Sequence, residues 1–124
     1  MRLFGTAFAG ALAVCGWAAM AAEGGDAAKG ETVFKKCTAC HNAEAPPKNG
    51  IGPSLHGVIG RKAGSVEGFK YSDAMKGSGI VWEEKTIDAY LKDPKGYVPK
   101  NKMVFVGLPK DADRADVIAY LKTK

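Results

Sequence analysis

The stretch KKCTACHNAE, residues 35–44, decides how this chain folds, because it brings two thiols and an imidazole into one short segment. Cys37 and Cys40 are three residues apart, and His41 follows Cys40 directly. Three chemistries use such a segment: a redox-active disulfide, part of a zinc site, or covalent attachment of haem. Each requires something different from the rest of the chain, so the surrounding sequence discriminates among them.

Length and composition indicate one ordinary globular domain. The chain has 124 residues, of which 46% are hydrophobic and 25% charged, and this length suits one domain rather than two. Sixteen glycines and six prolines indicate many turns between short elements. The formal net charge is +5, but no nucleic-acid recognition motif accompanies it, so we expect no nucleic-acid partner.

The N-terminal segment has the pattern of a secretory signal peptide. Within MRLFGTAFAGALAVCGWAAMAA the only charged residue is Arg2, and the apolar run ends in small alanines. This pattern predicts a cleaved signal peptide over residues 1–21, with Ala21 or Ala22 as the last residue removed. The folded domain is then 22–124. Cleavage after Ala21 leaves 103 residues, with 17 basic and 13 acidic side chains and a net charge of +4.

Two other interpretations of this N-terminal segment remain open. Residues 3–22 are long enough to span a membrane as an uncleaved anchor, although alanine and glycine make the run weakly apolar. Cys15 is a candidate lipidation site, although Val14 precedes it where a small residue is expected. Signal cleavage removes Cys15, so an exported domain keeps two cysteines and has no disulfide framework.

The downstream pattern predicts an all-α domain with three main helices, a short additional helix and long loops. Asp26 is a good N-cap for a first helix over AAKGETVFKKCTACH. Ser72 and Gly77 bracket the short helix in YSDAMKGSG. The other main helices are predicted over residues 82–94 and 111–124, and no segment shows the alternation of a strand.

Two long segments, 42–70 and 95–110, are predicted to be loops. The first contains three prolines and five glycines between 42 and 64 and shows no sustained apolar period. An irregular segment of that length is unusual in a compact domain unless it wraps around something. A large cofactor would explain it.

Among the three chemistries, haem attachment fits these surroundings best. A redox dithiol motif usually lies in a βαβ unit, which the helical pattern lacks. Zinc needs about four ligands, yet His56 is the only other histidine, and the adjacent ligands Cys40 and His41 would strain a tetrahedral site. A C-x-x-C spacing matches the two vinyl groups of haem, and the histidine that follows then faces the iron. Export agrees with this chemistry, because such attachment occurs outside the cytoplasm.

The second axial position of the iron separates an electron carrier from a sensor or an enzyme. The side chains that qualify in the mature chain are Met75, Met103, His56 and several lysines. Met75 lies on a short helical pattern, where methionine ordinarily fills a core, and His56 lies in a loop close to His41. Met103 lies in the irregular KGYVPKNKMVF, and a loop covers a flat cofactor more easily than a helix does. The residues favour Met103 and leave the others open.

Five stretches, in this order and at this spacing, resemble those of one family. They are KGETVFKKCTACH, GPSLHGVIGRKAG, GFKYSDA, GIVWEEKTIDAYLKDPKGYVPKNKM and DVIAYLK, and they span nearly all of residues 26–124. The chain is similar to class I cytochrome c, close to the bacterial c2-type and mitochondrial carriers. The resemblance implies the all-α cytochrome c fold around a single haem c, attached covalently through Cys37 and Cys40.

The resemblance also implies roles for individual residues around the haem. His41 is expected to be the proximal iron ligand and Met103 the distal one. The carbonyl of Pro53 is expected to accept a hydrogen bond from His41, and Tyr90 is expected to bond near the Met103 sulfur. The haem propionates are expected to lie among three donors. These donors are Arg61, Tyr71 and Trp82.

The resemblance further concerns a helix crossing and three departures from the family pattern. Gly30 and Phe34 are expected to meet Tyr120 where the first and last helices cross. Met75 stands where many relatives carry an asparagine bonded to a buried water, and Asn101 stands where many carry threonine. The first helix is one residue shorter before the attachment motif than in mitochondrial relatives. These departures leave the polar network near the haem undetermined.

The function that the resemblance implies is soluble one-electron transfer, not enzymatic catalysis. The expected donor is a cytochrome bc complex, and the acceptor is a terminal oxidase or a photosynthetic reaction centre. The protein is expected to be a periplasmic monomer that docks to acidic surfaces of these complexes through lysines. The docking lysines are Lys35, Lys36, Lys48, Lys95, Lys100 and Lys102. The alternatives are a haem-based sensor or gas-binding protein with a displaceable sixth ligand, and a small redox enzyme such as a peroxidase.

Overall fold

The computed structural model describes residues 24–124 of the chain. The predicted signal peptide, residues 1–21, lies outside this part, as do the alternative anchor over 3–22 and the candidate lipidation site Cys15. Within the described part, no helix combines the length and the apolar character needed to cross a bilayer.

The first helix, α1, spans Ala27–Phe34. Asp26 caps it as predicted, since its carboxylate accepts hydrogen bonds from the second and third amides that follow. The prediction that this helix continues through the attachment motif is wrong. Residues 35–40 form tighter turns, and the Thr38 hydroxyl donates to the Lys35 carbonyl at 2.9 Å. Such a side-chain bond competes with the helical bonding of the backbone.

Two further helices follow the long loop. Helix α2 spans Asp73–Lys76, and the Ser72 hydroxyl caps it by accepting a hydrogen bond from the amide of Met75 at 3.1 Å. Helix α3 spans Glu84–Lys92 and begins with a reciprocal capping box, in which Glu83 and Thr86 each accept from the other's backbone. Both helices lie within the segments predicted for them.

Helix α4, Pro94–Tyr97, replaces the start of a segment that was predicted to be a loop. Proline suits the first turn of a helix, because its fixed φ is helical and its missing N–H is not needed there. The Asp93 carboxylate caps the turn by accepting from the amide of Gly96 at 3.1 Å. The proline that ends α3 therefore starts a second, shorter helix.

Helix α5, Asp111–Leu121, closes the chain and packs across α1. A β-carbon added to Gly30 would lie 1.9 Å from the carbonyl oxygen of Asp116, so glycine permits the crossing. The rings of Phe34 and Tyr120 pack beside it in a tilted arrangement, with centroids 5.2 Å apart. The expected contact between these three residues is present.

A buried arginine connects α5 to α3 and to the loop that precedes α5. Arg114 donates to the carboxylate of Asp88 at 2.7 Å and to the carbonyl of Leu108 at 2.7 Å, and it also pairs with Asp111. The hydrogen bond to Asp88 is the main cause that raises the pKa of Arg114, so the guanidinium stays charged.

The architecture confirms the predicted all-α fold. Within residues 24–124 the strand-type pairing amounts to one isolated bridge between Lys62 and Val81. The helices and the long loops around them enclose one apolar cavity, which contains the site.

Candidate haem-binding site

An apolar cavity of about 400 Å³ lies between the helices and the long loops, and its size is typical of sites for organic ligands. Helices α1, α3 and α5 and both long loops contribute to its walls. The apolar side chains that line it include Phe34, Leu55, Val58, Trp82, Ile87, Leu91, Phe105, Val117 and Leu121.

The attachment motif forms one part of the cavity wall. Cys37, Cys40 and His41 all line the cavity. The amides of Cys40 and His41 both donate to the carbonyl of Cys37, at 3.1 and 2.9 Å. These bonds wind the motif into a compact turn. Both thiols and the imidazole therefore face the same space.

The imidazole of His41 is oriented by the loop that follows the motif. Its Nδ1 lies 2.7 Å from the carbonyl oxygen of Pro53. Because a carbonyl only accepts, this contact assigns the proton to Nδ1 and leaves the lone pair of Nε2 free. Burial lowers the pKa of His41, which outweighs the opposing effect of the Pro53 bond. The lowered pKa favours the neutral ring, which is the form that binds a metal.

Gly52 holds the other side of this ring and was not predicted as a site residue. A β-carbon at Gly52 would lie 2.4 Å from Cε1 of His41 and 2.8 Å from each ring nitrogen. Its amide donates to the carbonyl of Cys40 at 2.7 Å, which ties the loop back to the motif. The glycine directly before a proline, in the sequence GIGPS, was the available signal for a backbone in close contact with something.

The structure counts against both other uses of the two cysteines. Burial, and then the neighbouring Cys40, raise the pKa of the Cys37 thiol to about 11, whereas redox-active dithiols have lowered pKa values. Among residues 24–124 no three histidine, cysteine or acidic side chains converge on a point that could hold a metal ion. The other histidine, His56, contacts the carbonyl of Ala43 through its Nδ1 at 3.2 Å and does not line the cavity.

Both candidate methionines reach the cavity, but their surroundings differ. Met103 lies below the hydroxyl of Tyr90, which donates to its sulfur at 3.8 Å. Burial raises the pKa of Tyr90 to about 12, so the hydroxyl keeps its proton and remains a donor. Trp82 packs against the Tyr90 ring at 5.1 Å between centroids and holds it in place. Met75 also lines the cavity, from helix α2.

Comparison with known proteins agrees with this geometry. The family model described as "Cytochrome c" matches residues 27–124. The chain belongs to the cytochrome c family. It is 52% identical to cytochrome c2 of Rhodomicrobium vannielii over 124 residues, covering 100% of this chain and 98% of that protein. It is 60% identical over 90 residues to cytochrome c2 iso-2 of Magnetospirillum fulvum, covering 73% of this chain and 93% of the relative.

A solved structure extends the match to three dimensions. Cytochrome cH from Methylobacterium extorquens superimposes with a TM-score of 0.76 at 51% identity, covering 81% of this chain and 100% of that one. These findings confirm a class I, c2-type cytochrome c that carries covalently bound haem c. The protein is an electron-transfer protein and not an enzyme. The C-x-x-C-H motif of Cys37, Cys40 and His41 is consistent with haem attachment.

The polar side chains expected near the haem propionates also reach the cavity of this cytochrome c. Arg61, Tyr71 and Trp82 line it together. Two guanidinium nitrogens of Arg61 donate to the carbonyls of His56 at 3.3 Å and Ser54 at 2.8 Å, which fixes the side chain at the cavity wall. The Tyr71 oxygen accepts from a backbone amide at 3.1 Å, so its own proton is available to a carboxylate. Apolar walls, two thiols and these donors fit haem c.

Asn101 is a second residue whose role the sequence did not reveal. It is buried, and its side-chain oxygen accepts a hydrogen bond from the amide of Met103 at 2.8 Å. Its NH₂ group donates to the carbonyls of Pro94 and Val98, both at 2.9 Å. Asn101 therefore connects the backbone at Met103 to helix α4. A short polar residue two positions before Met103 was the only signal.

All six lysines that were predicted to dock partners are exposed, but they do not share one position. Lys36 and Lys102 line the cavity, as does Lys70, which was not predicted. Lys102 donates to the carbonyl of Lys70 at 2.9 Å and so connects the loop that contains Met103 to the loop over 42–70. Lys95 donates to Asn101. Lys35, Lys48 and Lys100 lie outside the cavity lining.

Proposed function

We propose that this cytochrome c is a soluble one-electron carrier in which His41 and Met103 are the axial ligands of the haem iron. One observation carries the proposal: both side chains line the same cavity, and each is held by a specific hydrogen bond. Pro53 binds Nδ1 of His41 and leaves Nε2 free, and Tyr90 donates to the sulfur of Met103. A single donor to sulfur leaves a second sulfur lone pair for a metal.

Two protein ligands leave no coordination position for a substrate. Bound haem supplies an iron that gains and loses one electron, and methionine ligation favours its reduced form. The apolar cavity acts in the same direction, because burial disfavours the extra positive charge of the oxidised form. We therefore expect a reduction potential that is high among haem proteins.

The residues around both ligands keep the site in one geometry during electron transfer. The Pro53 carbonyl and the Gly52 backbone confine the His41 ring from two sides. Tyr90 and Asn101 confine Met103 at its sulfur and at its backbone amide. Because neither side chain has to move, little reorganisation accompanies the transfer.

The exposed lysines support docking to acidic partners. We propose that Lys35, Lys36, Lys48, Lys95, Lys100 and Lys102 steer the protein to acidic surfaces on membrane redox complexes. A cytochrome bc complex would be the donor, and a terminal oxidase or a photosynthetic reaction centre the acceptor. Interfaces of this type are small and short-lived, which suits a monomeric shuttle.

The proposed location is the bacterial periplasm. The secretory pattern of residues 1–21 supports export, with cleavage after Ala21 or Ala22. Covalent haem attachment outside the cytoplasm supports the same compartment. Mass spectrometry of the purified native protein tests this, because an N-terminus at residue 22 or 23 is expected, and retention of residues 1–21 would contradict export by cleavage.

Two cavity methionines make a matched test of the ligand assignment. We expect Met103→Ala to lose the weak red absorption band of methionine bound to oxidised haem, to bind carbon monoxide when reduced, and to have a lower potential. Met75→Ala removes the same side chain from the same cavity and is expected to keep the band. An unchanged potential in Met103→Ala, or loss of the band in Met75→Ala alone, would refute the assignment.

A further inference from the structure

The side chain of Asn101 uses its whole hydrogen-bonding capacity. It is 5% exposed and lies two residues before Met103. Its nitrogen donates to Pro94 and Val98, and its oxygen accepts from the amide of Met103 at 2.8 Å and from the ammonium of Lys95 at 3.2 Å. An asparagine side chain has two donor hydrogens and two acceptor lone pairs, so all four positions are occupied.

These partners leave only one orientation for the Asn101 amide. A reversed amide would turn two N–H donors toward the Met103 amide and the Lys95 ammonium, which are themselves donors. It would also turn the oxygen toward two carbonyls. The amide is therefore locked, and the backbone of Met103 has a fixed acceptor.

Lys95 completes this arrangement from the solvent side. Besides the bond to the side-chain oxygen, its ammonium donates to the main-chain carbonyl of Asn101. Hydrogen bonds from a charged donor are stronger than neutral ones. Lys95, although exposed, therefore binds both the side chain and the backbone of Asn101.

The part of the loop after Met103 has few anchors of its own. Val104 is 100% exposed and Val106 95% exposed, and across the described chain the amides of residues 104–107 donate no hydrogen bond. The next backbone anchor is the amide of Leu108, which donates to Leu91 at 2.7 Å. Phe105 packs against the core, but the backbone at Met103 is held by hydrogen bonds mainly from the Asn101 side.

We propose that Asn101 and Lys95 form a brace that positions Met103 on the iron. This inference rests on the proposed ligation by Met103 and adds two positioning residues to it. Lys95 is then more than one charge among the docking lysines, because its ammonium is bonded within the protein. An acidic partner that drew this ammonium away would loosen the brace.

The two members of the brace are expected to contribute unequally. Lys95→Met removes two partly buried hydrogen bonds. Asn101→Ala leaves the Met103 amide without a partner and removes one of the two hydrogen bonds that each of the Pro94 and Val98 carbonyls accepts. Weaker methionine ligation lets an external ligand compete better, so imidazole is expected to bind the oxidised protein about fivefold tighter in Lys95→Met and about fiftyfold tighter in Asn101→Ala.

The test is an imidazole titration of the oxidised holoprotein, in which the loss of the red methionine band measures binding. The variants are Lys95→Met, Lys95→Arg, Asn101→Ala and the double variant Lys95→Met/Asn101→Ala. Lys48→Met is the matched control, because Lys48 is an exposed docking lysine that donates no hydrogen bond within residues 24–124. It removes the same charge without touching the brace.

The brace predicts tighter imidazole binding in Lys95→Met and wild-type affinity in Lys95→Arg and Lys48→Met. Once Asn101 is alanine, Lys95→Met is expected to have a smaller effect, because only its bond to the main-chain carbonyl of residue 101 is then lost. A merely structural or electrostatic role would make the two substitutions additive or would affect Lys48→Met equally. Equal affinities in wild type and Lys95→Met would overturn the brace alone. Absence of the red band from the wild-type protein would overturn Met103 ligation, and the brace with it.

Discussion

Replacing Gly52 by alanine should displace His41, the proposed iron ligand, although His41 itself is unchanged. The new β-carbon would lie 2.4 Å from Cε1 of His41, and ordinary contact begins at 3.4 Å, so the ring must move by about 1 Å. The ring cannot yield freely, because its Nδ1 is bound to the Pro53 carbonyl at 2.7 Å. The φ of Gly52 lies outside the left-handed region, so alanine is not strained there by its own backbone.

The size of the effect follows from these two contacts. Overpacking costs about 1–3 kcal/mol, and a lost hydrogen bond adds about 1 kcal/mol. The total is about 3 kcal/mol, which lowers the melting temperature of a domain of this size by roughly 10–20 °C.

Thermal unfolding of the oxidised holoprotein, followed by circular dichroism, measures this change. Gly50→Ala is the control, because it lies in the same loop and its β-carbon would meet only the Cys40 carbonyl, at 3.2 Å. We expect a small shift in that variant and a large one in Gly52→Ala. A melting temperature of Gly52→Ala within about 2 °C of wild type would show that Gly52 does not confine the histidine.

Three other substitutions test the fold and the site. Gly30→Ala should destabilise the protein by about 2 kcal/mol despite the better helix propensity of alanine. Gly24→Ala is the control and should not, because open space surrounds Gly24. Equal midpoints of urea unfolding in the two variants would contradict the close crossing of α1 and α5. Arg114→Leu leaves the buried Leu108 carbonyl unpaired and should lose about 2–3 kcal/mol in the same assay; a loss below about 0.5 kcal/mol would contradict this. Burial raises the pKa of Tyr90 to about 12, above its ordinary value, so the unfolded chain releases this proton first and wild-type stability falls as pH rises from about 10 to about 12. Tyr90→Phe should lose less stability between these pH values. An equal loss in both proteins would show that the raised pKa of Tyr90 does not cause it.

The helices were largely predictable because their signals are local. Asp26, Ser72 and the acidic first turn of α5 each act on amides within three residues, so a short window of sequence contains the physics. The same reasoning made α1 too long, because the Thr38 hydroxyl donates to the Lys35 carbonyl and residues 35–40 form turns instead of helix. It also missed α4, since Pro94 was interpreted only as the end of the preceding helix.

The attachment motif of the site was predictable, but the residues that position His41 and Met103 were less so. The spacing of Cys37, Cys40 and His41 contains the chemistry of haem attachment, so the sequence alone indicated the cofactor. The roles of Gly52 and Asn101 depend on how closely two loops approach His41 and Met103, and no local pattern encodes such distances. The internal use of Lys95 was missed for the same reason, because a lysine near the haem is ordinarily interpreted by charge alone.

The most direct test of the central claim is a visible absorption spectrum of the oxidised, purified wild-type protein. Methionine sulfur bound to oxidised haem produces a weak band in the red. We expect this band, together with no binding of carbon monoxide by the reduced protein, because Met103 is proposed to occupy the sixth position. An intact haem spectrum without the band, and with carbon monoxide binding, would contradict the carrier assignment and favour a sensor or gas-binding protein.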